Sequence, residues 1–257
     1  MFPLRDENPT ELTPFVTVTL IVINVAAWLF VQGAGTGEAF LRSLCAYGAI
    51  PGAITGAISA GELIPLGQET ACRVGGFGAT ALLTSMFLHG SWMHLIGNMW
   101  FMWIFGNNVE DSMGHGRFIV FYLLCGLAAA VGQVAANPMS GIPMVGASGA
   151  IGGVMGAYIV LYPRVQVKML VFLGIFITTF TVPAVFMLGY WLLIQLLGGL
   201  GSIGAIGGGV AFWAHIGGFV GGAILVLFFR NPELVARHPY HGWKKKRHAE
   251  PNWRRIK

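Results

Sequence analysis

Three stretches of the chain place polar side chains that could do chemistry inside otherwise apolar sequence. The stretch "FLHGSWMHLIGNMWFMWIFG" carries His94 and Asn98, which are four residues apart and therefore share one face of a helix. The stretch "MVGASGAIGGVMGAY" carries Ser148, and "WAHIGGFVGGAILVLFF" carries His215. A hydroxyl and an imidazole can act as nucleophile and general base when they lie within hydrogen-bond distance.

Glycines indicate how the serine and the histidine could meet. Gly218 and Gly222 follow His215 at i+3 and i+7, on one face of its helix. Gly149 and three further glycines give the serine-bearing helix a matching smooth face. Small residues let two membrane helices approach closely. We therefore expect these two helices to pack together and to bring Ser148 to His215.

Together these groups predict acyl-transfer chemistry. Ser148 would attack a carbonyl, and His215 would take its proton and later protonate the leaving amine. Ser148 is expected at a helix N-terminus, where backbone N–H groups lack partners. Its own N–H could then bind an oxyanion together with the side chains of Asn98 and His94. No Asp or Glu lies within the apolar stretches, so the sequence predicts a dyad.

Other interpretations of these histidines stay open. His89 lies five residues before His94, and its preferred interpretation is a structural, hydrogen-bonding anchor. A metal transporter that uses His89, His94 and His215 as ligands is an alternative, weakened by the lack of a carboxylate or thiolate partner. The chain contains neither an HExxH motif nor a pair of intramembrane carboxylates. Zinc and aspartyl membrane proteases are thereby excluded.

The composition places these residues in a membrane. Of 257 residues, 55% are hydrophobic and 10% are charged, against about 25% charged in an average soluble domain. A spanning helix needs about 20 apolar residues, and the pattern predicts an all-α membrane protein, a bundle of six helices. The predicted spans are 15–31, 82–105, 118–136, 148–162, 182–197 and 210–229. The segment "KMLVFLGIFITTFTVP" is expected to be interfacial or to extend a helix.

Positive charge predicts the orientation. With both termini in the cytoplasm, 13 Lys and Arg residues lie inside and only Arg42 and Arg73 lie outside, as the positive-inside rule requires. Residues 1–230 then form the core and residues 231–257 a basic cytoplasmic tail. The net charge of +5 comes mainly from this tail. Its place after a span favours contact with anionic lipid and argues against nucleic acid as a partner.

One long outside segment remains, at about residues 33–81. It is too apolar for an ordinary loop, so we expect it to lie partly in the outer leaflet and to pack on the bundle. It contains Cys45 and Cys72, for which a disulfide and two free thiols are both open interpretations. Cys125 is expected to pack within a span.

Three motifs, "HGSWMHLIGN", "GASG" and "AHIGG", resemble the signature of the rhomboid intramembrane serine proteases, in the right order and on the expected helices. The resemblance extends over about residues 12–230. The roles that it implies are Ser148 as nucleophile, His215 as base, His94 and Asn98 in the oxyanion hole, and His89 and Gly146 in support of the site.

The resemblance also implies a substrate and a setting. The substrate would be a membrane-spanning protein whose helix unwinds locally to expose a peptide bond, and neither a cofactor nor a metal is implied. The protein would be a multi-pass protein of a bacterial inner membrane, which its short tails suit. The alternative within the family is a non-proteolytic relative that binds membrane helices.

The chain departs from the family pattern in two places. Many members have a Trp-Arg pair in the first outside loop, which here contains no tryptophan. Some members place an aromatic residue one turn after the serine, where it stacks on the catalytic histidine, and this chain has Gly152 there. The sequence therefore leaves the anchoring of the loop and the positioning of His215 unexplained.

Overall fold

A computed structural model describes residues 2–66, 70–75, 78–173, 176–202 and 209–238. The described residues form a helical bundle with a small β-sheet at one end. Its helices are α1 Phe15–Ala26, α2 Gly37–Tyr47, α3 Pro51–Thr55, α4 Ala81–Thr84, α5 Trp92–Met113, α6 His115–Ala136, α7 Ser148–Leu161, α8 Ala184–Gly201, α9 Phe212–Phe229 and α10 Pro232–Arg237. Its strands are β1 Phe2–Asp6, β2 Leu63–Pro65, β3 Ala71–Arg73, β4 Gln166–Leu173 and β5 Phe176–Pro183.

Six long helices correspond to the predicted spans: α1, which continues as a π-helical turn at Ala27–Val31, and α5 to α9. By length and hydropathy, three of the described helices could cross a membrane, namely α6, α8 and α9. The apolar helices α1 and α7 are shorter. The six crossings and the cytoplasmic termini therefore stay predictions, and most of the predicted basic tail lies outside the described residues.

Helix α5 differs most from its predicted boundaries. It begins at Trp92 rather than at residue 82, because the Ser91 hydroxyl caps it by accepting a hydrogen bond from the His94 backbone N–H at 3.2 Å. It also continues beyond residue 105 to Met113. The helix therefore includes acidic residues that the sequence analysis placed outside the spans.

Two buried carboxylates at the end of α5 hold the start of the chain. Glu110 accepts hydrogen bonds from the backbone N–H groups of Val16 and Thr17 at 2.9 and 2.8 Å. These are donors of the first turn of α1, which have no partner within that helix. Asp111 accepts a hydrogen bond from the Leu12 N–H at 2.7 Å. Burial of these charges is tolerated because each is met by several donors.

The all-α prediction is wrong at the end of the bundle where the chain begins. Strand β4 pairs antiparallel with both β1 and β5, which gives a three-stranded sheet. The segment predicted as interfacial or helical is the β4–β5 hairpin. Its run of β-branched and aromatic residues, "FITTFTVP", favours a strand, and "FPLRD" near the N-terminus supplies the third strand through pairs such as Phe2 with Leu170.

The described residues of the segment at 33–81 pack on the bundle, although the segment contains no tryptophan. Ala49 and Met144 exchange backbone hydrogen bonds at 3.0 and 2.7 Å. A disulfide joins Cys45 to Cys72, which decides between the two interpretations left open by the sequence. The pair ties α2 to the β2–β3 hairpin, so the segment carries its own cross-link.

Helices α7 and α9 touch backbone to backbone at the centre of the bundle. A Cβ atom built on Gly218 would lie 1.9 Å from the carbonyl oxygen of Gly149, and one built on Gly222 would lie 2.0 Å from that of Gly153. Such distances exclude any side chain larger than hydrogen. The glycine faces identified in the sequence therefore lie against each other, and they set the distance between the two helix axes.

We predict that Gly222→Ala destabilises the protein, because the added methyl group must push α9 away from the Gly153 carbonyl. The expected loss is about 1–3 kcal/mol of unfolding free energy, measured by thermal or denaturant unfolding in detergent. The matched control is Gly189→Ala on α8, where an added Cβ meets no atom within 4 Å. Equal effects of the two substitutions would contradict this description of the helix contact.

A second prediction concerns the sheet. Asp6 accepts a hydrogen bond from the Tyr158 hydroxyl at 2.6 Å, and burial raises the pKa of its carboxyl from 3.8 to about 6 although this bond acts in the opposite direction. The folded state therefore binds the proton of the Asp6 carboxyl more tightly than the unfolded state does. Protonation of Asp6 stabilises the folded protein fully below pH 4, and this contribution is lost as the pH rises through 6.

Wild type should therefore lose about 1–3 kcal/mol of stability between pH 4 and pH 7 relative to Asp6→Asn, whose amide does not titrate. The measurement is the unfolding midpoint of both proteins across this pH range. Parallel curves for the two proteins would show that Asp6 does not carry the effect.

Candidate active site

The hydroxyl of Ser148 and the imidazole of His215 are in hydrogen-bond contact, with 2.8 Å between Oγ and Nε2. Ser148 is the first residue of α7, and His215 lies in the first turn of α9. The glycine contact between the two helices holds their first turns side by side. The structure therefore brings together the two residues that the sequence analysis selected as nucleophile and base.

The loop before α7 passes directly beside His94. Gly146 has φ of +131°, a backbone conformation that favours glycine, and a Cβ atom there would lie 2.7 Å from the His94 imidazole. Its N–H donates a hydrogen bond to the Ser85 carbonyl at 2.9 Å. Gly146 therefore lets the chain enter α7 with Ser148 next to the imidazole ring of α5.

A cavity of about 550 Å³ joins these groups. Ser148, His215, His94 and Asn98 all line it. The Asn98 side chain is largely buried, and its Nδ2 has no hydrogen-bond partner among the described residues. An unpaired buried N–H group is costly, and here it borders the cavity that holds the serine. The arrangement offers a donor to an oxygen atom bound beside Ser148.

His89 lies before α5, not within it, and is completely buried. Its ring meets the His94 ring edge-on, with 5.1 Å between centroids. The side-chain amide of Gln32 brackets its backbone, donating to the His89 carbonyl at 2.8 Å and accepting from the His89 N–H at 2.7 Å. Gln32 ends the π-helical turn after α1, so this amide ties the first helix to the loop that enters α5.

Two residues of α8 complete the surroundings of His215, and the sequence analysis missed both. Gln195 Oε1 lies 2.8 Å from His215 Nδ1, and the Trp191 ring packs against the imidazole at 5.7 Å between centroids. At Gly152 a Cβ atom would lie 3.0 Å from the His215 carbonyl oxygen, so a side chain there would require the backbone of α9 to shift. The aromatic neighbour of His215 comes from α8 instead.

A sequence signal for these residues existed. Trp191 and Gln195 are four residues apart in a predicted span and share one helix face. Gln195 is a neutral amide in apolar sequence whose partner lies on another helix. Gln133 is a similar case, because its Oε1 accepts a hydrogen bond from the Ala214 N–H at 3.2 Å, at the start of α9.

A Rhomboid domain sequence model matches residues 77–232 of the chain. The match covers the helices that carry the site, α5 to α9. It also begins before the loop that contains His89 and ends after α9.

Several known proteins resemble the chain. Rhomboid protease GluP of Bacillus subtilis is 36% identical over 138 residues, which are 53% of this chain and 26% of that protein. RHOMBOID-like protein 7 of Arabidopsis thaliana is 29% identical over 164 residues, 64% of this chain and 45% of that protein. The human mitochondrial presenilin-associated rhomboid-like protein is 34% identical over 104 residues, 39% of this chain and 26% of that protein. The matched segments span less than half the length of each relative.

Proposed function

Because the chain belongs to the rhomboid family, we propose that it is an intramembrane serine endopeptidase that cleaves transmembrane segments of membrane proteins. The observation that carries the proposal is the 2.8 Å hydrogen bond between Ser148 and His215 in a cavity lined by His94 and Asn98. Some relatives are named proteases and others only rhomboid-like, so activity is the point to test. The family consists of membrane proteins, and the relatives of this chain include bacterial and mitochondrial proteins. The bacterial inner membrane accordingly remains a proposal.

The first half of the reaction forms an acyl-enzyme. Ser148 Oγ attacks the scissile carbonyl carbon while its proton passes to His215 Nε2. The carbonyl oxygen becomes an oxyanion, which the Ser148 N–H and the side chains of Asn98 and His94 stabilise. The imidazolium of His215 then protonates the leaving amine, and the first product departs. In the second half, water attacks the acyl carbon while His215 takes a proton from that water. The bond from the acyl carbon to Ser148 Oγ then breaks, His215 returns the proton to Oγ, and the acid product leaves.

The chemistry requires an unwound substrate. A helix keeps its carbonyl groups in hydrogen bonds, and a bilayer offers no water to replace them. The proposed substrate is therefore a transmembrane segment with residues that weaken its helix near the cut. The cavity supplies polar groups for the freed backbone, whereas lipid does not.

The arrangement of residues disfavours the metal-transporter alternative. Within the part of the chain that the structure describes, no group of three His, Cys, Asp or Glu side chains could hold a metal ion. His215 instead faces a hydroxyl on one side and an amide on the other. The three histidines that the alternative needs do not form one ligand set in the described structure.

We predict that purified wild-type protein in liposomes cleaves a single-span substrate, and that Ser148→Ala and His215→Ala each reduce the rate by at least about 10³-fold. A metal chelator should leave the wild-type rate unchanged. The rate is measured as appearance of the cleaved fragment. Thermal unfolding of both variants serves as the control for folding. Cleavage that survives Ser148→Ala, or that the chelator abolishes, would contradict the proposal.

A separate prediction tests the oxyanion role of Asn98. Replacing it with Ala removes one donor to the developing charge, and loss of such a donor costs roughly 10²–10³-fold in kcat. KM should change little, because the oxyanion exists only during the reaction. A variant with unchanged kcat and a raised KM would assign Asn98 to substrate binding.

A further inference from the structure

We propose that Gln195 is a positioning residue for His215: its amide fixes the imidazole in the tautomer that can accept the serine proton. The inference rests on the proposed serine protease function and adds a third member to a site that the sequence predicts as a dyad. It also explains how His215 is held where the family pattern has an aromatic residue and this chain has Gly152.

A second hydrogen bond determines which end of the Gln195 amide, oxygen or nitrogen, faces His215. Its Nε2 donates to the Trp191 carbonyl at 3.3 Å, one turn earlier in α8. The oxygen end must therefore face His215, and Oε1 lies 2.8 Å from Nδ1. An oxygen of a neutral amide only accepts hydrogen bonds. His215 Nδ1 must accordingly carry the proton in this contact.

The tautomer decides whether the site can work. With the proton on Nδ1, His215 Nε2 has a free lone pair and accepts the hydrogen bond of the Ser148 hydroxyl at 2.8 Å. With the amide reversed, its NH₂ would donate to Nδ1 and the proton would reside on Nε2. That nitrogen could then no longer accept the proton of Ser148. When His215 becomes doubly protonated during the reaction, Nδ1–H continues to donate to Gln195.

Burial makes this bond effective. The Gln195 side chain is largely buried, and a hydrogen bond of a charged group in a water-poor site is stronger than one between neutral groups in water. Trp191 covers the ring from the same helix. One helix face thus supplies both a packing surface that limits rotation of the imidazole and an acceptor that selects its tautomer.

The groups that face His215 come from three helices. Helix α7 contributes Ser148, α8 contributes Gln195, and α5 contributes His94 across the cavity. Among them His94 is the titratable group besides His215 itself. Helix α6 has no Asp, Glu, Lys or Arg at 118–136. A carboxylate placed at position 195 would therefore be the new charge nearest the imidazole. The effect of His94 on His215 would be the same in the wild type and in this variant.

The test compares Gln195→Met with Gln195→Glu. Met has a similar length but offers no strong acceptor, and we expect kcat to fall roughly 10- to 100-fold with KM nearly unchanged. Glu restores an acceptor and adds a negative charge that stabilises the imidazolium. It should recover activity at high pH and move the acid limb of the pH–rate profile upward by about one to three pH units. The matched control is Leu196→Met, next along α8 and exposed, which should behave as wild type.

Labelling of Ser148 by a fluorophosphonate provides a second measurement, because it needs no protein substrate. We expect slower labelling in Gln195→Met and a pH dependence in Gln195→Glu that follows its cleavage profile. Wild-type labelling rates and an unshifted pH profile in both variants would overturn the role of Gln195. A wild-type protein that neither labels nor cleaves would overturn the proposed function itself. A merely structural role would lower the unfolding temperature of the variants without shifting the pH profile.

Discussion

The direct backbone contact between α7 and α9 is the constraint on which the site depends. Their glycines leave no space between the helices, since a Cβ atom on Gly218 would lie 1.9 Å from the Gly149 carbonyl oxygen. One end of this contact carries Ser148 and His215, whose side chains meet at 2.8 Å. A methyl group between the helices would have to push them apart, away from the spacing at which this hydrogen bond forms. Packing and chemistry therefore share the same glycines.

Neutral amides connect helices around this pair. Gln133 on α6 binds the start of α9, Gln195 on α8 binds the imidazole, and Gln32 after α1 binds the backbone of His89. A polar group within an apolar bundle must find a partner there. Each amide does so by linking two elements, at a lower cost than a buried charge. The carboxylates of Glu110 and Asp111 perform the same task at the sheet end of the bundle, where several backbone donors are available.

The sequence predicted much of this arrangement because the responsible patterns are local. Their isolation as polar residues in apolar runs identified His94, Asn98, Ser148 and His215 as candidates. Small residues at i, i+3 and i+7 identified the helix faces that are in contact. Family membership, expected from three short motifs, is confirmed by the match over residues 77–232.

Features that depend on contacts between residues far apart in the sequence were not predicted. The sheet requires β1 to pair with β4 more than 150 residues away, and the apolar strands β4 and β5 have the composition of a helix extension. The burial of Glu110 within α5 likewise depends on backbone donors of α1, about 94 residues earlier in the chain. Gln195 was not predicted because its partner, His215, lies on another helix.

The most direct measurement is a crystal structure of the protein after reaction with a fluorophosphonate. We expect phosphorus bonded to Ser148 Oγ and a phosphoryl oxygen about 3 Å from the Ser148 backbone nitrogen and Asn98 Nδ2. The His215 Nδ1 should remain in hydrogen-bond contact with Gln195. A reagent bonded to another residue, or a phosphoryl oxygen turned away from Asn98 and His94, would contradict the proposed mechanism.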